Sequence, residues 1–220
     1  MVDENDEWHH SGFTQCEACK LIYRDPMPTE ERLRGFYESD YRKPDYPTLH
    51  DRRIQLTRAE RILHYMETRV GIAYVANMLD FGCANAVLLE EARMKWGCQV
   101  FGVEMNPVDR RIAKEQRGIE VSSTIDDAGN CYDMVVLAHV LEHLPDPLGF
   151  MVSLTKRVLP GGYVIFEMPN HTASGAWGEA HVTVWFLGVF KTLLTLSGWE
   201  HVDTTYVTGN TIFHAAGRRP

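Results

Sequence analysis

The chain has 220 residues, 45% hydrophobic and 24% charged, enough for one globular domain with a small appendage. A formal net charge of -8, with Lys and Arg scattered singly or in pairs, leaves no basic patch for a phosphate backbone, so nucleic acid is not an expected partner. No apolar run approaches the roughly 18 residues of a membrane span, the start "MVDENDEWHH" lacks the basic and apolar regions of a signal peptide, and five scattered cysteines read as reduced thiols; membrane is excluded and a cytoplasmic location expected.

Early in the chain, "PTEERLRGFYESDY" opens on Pro-Thr with acids in its first turn and predicts a helix, with Tyr37 and Tyr41 about one turn apart. A second helix is expected over residues 51–67, with Ile54, Ala59, Ile62, Leu63 and Met66 on one side. These helices cannot form a core of their own. They are expected to cap the crevice at the carboxyl ends of the strands of an open α/β sheet, so residues 1–70 read as leader and helical cap and residues 71–220 as the main domain.

From residue 78 onward short apolar runs alternate with helical patterns, which predicts a parallel sheet wrapped by helices. Strands are expected at 78–81, 99–103, 119–121, 134–138 and 163–168. The helices between them fall at 86–94, 107–116 and 147–158, the last ended by "LPGG". After the loop "PNHTASGAWGEAHVT" comes a helix over 185–196. Two stretches rich in Thr, Val and aromatics, 204–207 and 211–213, flank "TGN" and predict a closing β-hairpin.

The stretch "MLDFGCANAVLLEEA" reads as a buried strand, a tight turn and a helix N-terminus, which together aim backbone N–H groups and a positive dipole end at one spot. A dinucleotide fingerprint needs G-x-G-x-x-G, and Gly82, Ala84 and Val87 fail it at the second and third positions. A phosphate loop needs Lys-Ser or Lys-Thr after its glycines, and none is present. What remains is an acid at the end of one strand, small residues at alternate places in the turn and a second acid ending the next strand: Asp80, Gly82, Ala84, Ala86 and Glu104.

In this respect "NMLDFGCANAVLLEEA" through "CQVFGVEMNP" resembles the class I S-adenosylmethionine-dependent methyltransferases, whose turn usually reads D-x-G-x-G-x-G; two of those glycines are alanines here. The likeness continues through "VSSTIDDAGNCYDMVVLAHVLEHLPDP", "VLPGGYVIFEMPN" and "LLTLSGWE". It implies a Rossmann-like doubly wound sheet, mostly parallel with a C-terminal antiparallel hairpin, and S-adenosyl-L-methionine as cofactor. It further implies that Asp80, Gly82, Cys83 and Ala84 lie against the methionine part, that Glu104 takes both ribose hydroxyls with Met105 beside it, that Thr124 and Ile125 meet the adenine edge, and that Ala138 and His139 line the cofactor side. The leader "CEACKLIYRDPMPTEERLRGFYESDY" resembles one found in bacterial small-molecule methyltransferases, including those that modify nucleotide-linked sugars or polysaccharide building blocks, so a sugar or nucleotide-linked sugar is a candidate substrate. There it commonly carries four cysteines holding zinc, of which Cys16 and Cys19 alone are kept, with His9 and His10 nearby; free thiols in a remnant turn are favoured, and no metal is expected.

Methyl transfer is an in-line displacement that needs a positioned nucleophile and, for a hydroxyl, a base. His143 is a candidate base, the alternative being a structural hydrogen bond, and His181, from the loop after the fifth strand, is the rival base or a helix-start histidine. His139 and Glu142 read mainly as local structural partners, with Glu142, Tyr37 and Tyr41 assigned to the substrate side. Trp177 and Trp185 are core residues or a pocket floor. The expected function is methylation of a small molecule. The competing readings are a binding module that keeps the fold with weakened cofactor affinity and a nucleic-acid base methyltransferase, which "AHVLEH" after the fourth strand disfavours. The oligomeric state is left open.

Overall fold

The computed structural model describes residues 12–37, 46–127, 129, 131–178, 180–207 and 209–220. A hairpin of β1 (Gly12–Gln15) and β2 (Ile22–Asp25) precedes a short helix, α1 (Glu30–Gly35), and a long one, α2 (Leu49–Tyr65). Thr29 caps α1 by accepting from the Arg32 N–H, and Thr48 and Asp51 form a capping box on α2; these side chains satisfy N–H groups that a first turn leaves open. A π-turn, Met66–Val70, and the left-handed Gly71 end α2.

Strand and helix then alternate through β3 (Asn77–Phe81), α3 (Val87–Trp96), β4 (Gln99–Val103), α4 (Pro107–Arg117), β5 (Val121–Ser122), β6 (Tyr132–Ala138), α5 (Pro147–Leu154) and β7 (Val158–Pro169). A short β8 (Thr183–Val184), α6 (Leu187–Leu196), β9 (Glu200–Val207) and β10 (Ile212–Arg218) complete the chain. Among the described residues the large sheet has the order β5-β4-β3-β6-β7-β10-β9. Its first five members are parallel, and β10 is antiparallel to both β7 and β9. This is the expected class I methyltransferase fold, with its switch point between β3 and β6, where open sheets bind ligands.

The central strands are buried on both faces, and their side chains alternate between two apolar clusters. Leu79, Val135, Leu137 and Phe166 pack with α5 and α6 through Met151, Leu154, Phe190 and Leu193. Met78, Met134, Val136 and Ile165 pack with α2, the π-turn after it and α3 through Ala59, Ile62, Leu63, Met66 and Leu89. The second half of α2 is thus part of the core, whereas Ile54, grouped with it by periodicity, stays 44% exposed. Helix α2 meets the sheet only with its C-terminal half. No helix among the described residues is long and apolar enough to cross a membrane.

Three expected boundaries shift. The helix beginning at Pro147 stops at Leu154, because Val158 pairs with Tyr132 in the parallel ladder and is buried; "LPGG" therefore lies inside β7. The strand expected at 119–121 begins at Val121, since Ile119 is drawn into the end of α4: Gly118 is left-handed and the Ile119 N–H bonds the Ala113 carbonyl, closing the helix around a buried apolar side chain. The closing hairpin is longer than expected in both strands. The leader hairpin was not anticipated at all; β2 pairs with β8 to form a small antiparallel sheet.

Candidate active site

The turn after β3 is built on three left-handed residues, Gly82 (φ 75°), Ala84 (φ 47°) and Ala86 (φ 65°). A Cβ at Gly82 would stand 2.9 Å from Val140 Cγ2, so glycine is required there for space as well as for conformation. The two alanines keep the backbone that glycine would favour and bear its steric cost. Ala84→Gly and Ala86→Gly are each expected to stabilise the fold by about 0.5–1 kcal/mol, the left-handed penalty less the extra freedom of glycine when unfolded. Denaturant midpoints check this; a lower midpoint for both variants would contradict it.

Glu104 fastens this turn. Its Oε2 accepts the Ala84 N–H at 3.0 Å and its Oε1 accepts the Asn106 N–H at 2.8 Å. One carboxylate thus joins the Gly turn to the start of α4. Beside it opens a cavity of about 410 Å³. Its wall gathers Asp80, Gly82, Cys83, Ala84, Glu104 and Met105, together with Ala138, His139, His143 and Tyr37. Glu142 and His181 stand behind that wall. Thr124 and Ile125 do not line it: Thr124 is exposed and donates to Asp127, and Ile125 packs against the core. Tyr41, like His9 and His10, lies outside the described residues.

Asp80 is 3% exposed, and its Oδ1 has no hydrogen-bond partner among the described residues. Burial, reinforced by the charge of Glu104 and opposed by Arg58, pushes its carboxyl up to about 8. Burial and the neighbouring Asp80 likewise raise the Cys83 thiol.

An ionic cluster that the sequence did not reveal lies beneath the cavity. Glu167 on β7 is fully buried and accepts both arms of Arg61 from α2, Nε at 2.9 Å and Nη2 at 2.7 Å. His214 Nε2 lies 2.7 Å from its Oε2, and Arg58 Nε lies 3.2 Å from its Oε1. His139, at φ 55°, sets one ring nitrogen 3.2 Å from Glu167 Oε1 and the other 3.2 Å from Glu142 Oε1. Burial opposes ionisation of Glu167, but hydrogen bonds from His139, His214 and Arg61 hold it well below the usual carboxylate range. Burial also works against charge on His139, yet the two carboxylates raise its pKa.

His143 follows on a 3-10 turn, Leu141–His143. Its Nδ1 lies 2.8 Å from the Ala180 carbonyl and 2.6 Å from the Tyr37 hydroxyl. A carbonyl only accepts, so Nδ1 carries the proton and Nε2 keeps the lone pair. Burial lowers the His143 pKa, with Glu142 partly offsetting it. The His181 ring packs edge-on against His143 at 4.8 Å. Burial would raise Glu142, but His139, His143 and His181 together bring it down to about 2. Glu142, His143 and His181 each offer one ligand atom within 4.8 Å of the others, a set of the kind that takes a divalent ion. Among the described residues no comparable group forms around Cys16 and Cys19, which sit in the turn between β1 and β2; there backbone N–H groups, Cys19's foremost, lower the Cys16 thiol pKa.

The leader hairpin explains how the His181 loop is held. Arg24 on β2 is buried and donates from Nε to the His181 carbonyl at 2.8 Å and from Nη2 to that of Gly178 at 3.2 Å. On the other side the Val182 N–H bonds the Glu142 carbonyl at 2.8 Å, and Thr183 Oγ1 bonds the Leu141 carbonyl at 3.0 Å. Trp185, fully buried, is core, and Trp177 is 42% exposed.

A family described as a methyltransferase domain matches residues 49–201. The chain belongs to that family. The methyltransferase-domain match takes in the Gly turn, Glu104, Arg58, Arg61, Glu167 and the three clustered histidines, and leaves the leader hairpin outside. Curated relatives include the ubiquinone biosynthesis O-methyltransferases of Proteus mirabilis, 31% identical over 125 residues (52% of this chain and 50% of the relative), and of Cronobacter sakazakii, 30% identical over 121 residues (50% and 49%). The chain spans about half the length of the curated relatives it matches. Among solved structures, the N-methyltransferase NodS of Bradyrhizobium japonicum with S-adenosyl-L-homocysteine superposes at a TM-score of 0.61 and 19% identity, over 86% of this chain and 97% of that one. A sarcosine dimethylglycine methyltransferase described for Galdieria sulphuraria gives 0.62 at 14% identity, over 77% and 88%. At these identities the likeness is one of fold.

Proposed function

We propose that the chain is an S-adenosylmethionine-dependent methyltransferase acting in the cytoplasm on a hydroxyl of a small molecule. The observation that carries this is a single cavity with the Glu104-fastened turn at one side and the open nitrogen of His143 at another. The residues fit the cofactor group by group. Glu104 offers two acceptor oxygens to the ribose diol. The unpartnered Asp80 oxygen suits the ammonium, and Arg58, whose terminal nitrogens have no hydrogen-bond partner among the described residues, suits the carboxylate. Met105, next to Glu104 in the cavity wall, would offer the nucleoside an apolar contact. When bound, the cofactor would supply a sulfonium methyl carbon open to attack by the acceptor oxygen, with the neutral thioether sulfur as leaving group. His143 takes the acceptor proton at Nε2, its ring fixed by Ala180 and Tyr37, while His181 backs that ring. Glu142, initially assigned to the substrate, acts from behind it. Residues 1–70 serve as leader and cap, with the second half of α2 shared with the core, over a cofactor domain at 71–220.

For the acceptor, Leu33, Val140 and Leu144 give the cavity an apolar side, which favours a hydroxyl on an apolar ring. A sugar or nucleotide-linked sugar is the finer alternative suggested by the leader. Incubation with S-adenosylmethionine labelled at the methyl group, against ring alcohols, free sugars and nucleotide sugars, separates them. Label in a methyl ether is the expected result; transfer to amines alone would contradict a hydroxyl acceptor.

Asp80 gives the proposal a pH signature. A cationic ligand group beside it favours its ionised form, so binding expels the proton that Asp80 holds below about 8, and affinity rises with pH in that range. Titrations from pH 6 towards pH 8 should show affinity for S-adenosylmethionine rising, with the rise lost in Asp80→Asn. A flat profile in the parent protein would contradict the contact.

A further inference from the structure

Glu167 does not line the cavity, yet four basic side chains converge on it. Arg61 gives Nε and Nη2 to the carboxylate and does not line the cavity. Arg58 does. Its Nε is buried against Glu167 without a well-directed hydrogen bond, while a third of the side chain is exposed (34%) and lines the cavity. The outer edge of the guanidinium therefore faces the ligand space.

We infer that Glu167 is a positioning residue for the amino-acid end of the cofactor: from below the cavity floor it holds the Arg58 guanidinium with its Nη edge turned to a ligand carboxylate. This rests on the cofactor reading above. Glu167 touches no ligand itself. Its backbone sits on β7, hydrogen-bonded to β6 on one side and β10 on the other, while Arg58 comes from the cap helix α2. The contact thus transfers the precision of the sheet to a side chain on the cap, in the way that supporting residues orient groups that bind.

The test compares two probes on the intact protein by calorimetry: S-adenosylhomocysteine, which has the amino-acid chain, and 5′-methylthioadenosine, which lacks it. Glu167→Gln should weaken S-adenosylhomocysteine by about tenfold, a misdirected charge-assisted pair, and 5′-methylthioadenosine by less than about twofold. Arg58→Gln should cause a similar selective loss, and the double variant little more than either. Because a neutral residue at 167 leaves buried cations unpaired, Glu167→Asp is the companion variant. It keeps the charge, draws it back by one methylene and should show the same selectivity in reduced degree. If Arg58→Gln does not change the preference between the probes, the cofactor reading of Arg58 fails. If it does and neither Glu167 variant does, the positioning role fails alone. Equal weakening of both probes, or failure of both Glu167 variants to fold, would assign Glu167 to structure only and also overturn it.

Discussion

Glu104→Ala is expected to weaken binding of S-adenosylmethionine by about 1.5 to 3 kcal/mol, the range for hydrogen bonds to a charged group. The carboxylate has two tasks. It is the acceptor proposed for the ribose hydroxyls, and it already holds the Ala84 and Asn106 N–H groups at 3.0 and 2.8 Å. Alanine removes both, leaving a ligand diol without a partner and the turn without its fastening. Glu104→Gln separates the two tasks: one amide oxygen still serves one N–H, while the amide NH₂ confronts the other. A loss nearly as large as for alanine is therefore expected. Asp80 supplies an internal check, because removal of the neighbouring charge should let its carboxyl fall from about 8. Unchanged affinity in a folded Glu104→Ala protein would remove Glu104 from the cofactor site.

His143→Ala should lower kcat by about 10²-fold or more, the usual contribution of a positioned base, with cofactor binding retained. The geometry separates the first candidate that the sequence offered, His143, from its rival, His181. His143 lines the cavity and His181 does not; His143 has its Nδ1 proton fixed by Ala180, which leaves Nε2 for the acceptor. His181→Ala is expected to have the smaller effect, through loss of packing on the His143 ring. Since burial lowers the His143 pKa, the base is neutral over most of the physiological range. The rate should rise with pH through an apparent value below the free imidazole figure of about 6.5, rather than at it. A larger loss in His181→Ala than in His143→Ala would reverse the assignment, and a rate indifferent to both would point to an acceptor that needs no base.

The sheet was legible because its strands are apolar runs bounded by turn chemistry, and Glu104 because an acid ending the second core strand stands out in a buried context. The ionic cluster was not. Arg58, Arg61, Glu167 and His214 come from three elements far apart in the chain, and each alone looks like an ordinary charged residue on an amphipathic pattern. The antiparallel pairing of β10 with β7 sets His214 opposite Glu167, and α2 packing on the sheet brings the two arginines to them; no local spacing records that. Arg24 was hidden for the same reason, its partners lying across the fold in the His181 loop. Ala84 and Ala86 illustrate the opposite limit. Their small size was visible, but their left-handed backbone was not, because alanine carries no signature of φ. The expected placement of Thr124 and Ile125 rested on family resemblance alone, and the cavity wall passes them by.

Calorimetric titration of the intact protein with S-adenosylmethionine tests the central claim most directly. The account predicts saturable binding of one molecule per chain, stronger at pH 8 than at pH 6 and weakened in Glu104→Ala. Absence of binding at millimolar concentrations of the cofactor, in protein that unfolds cooperatively, would contradict it.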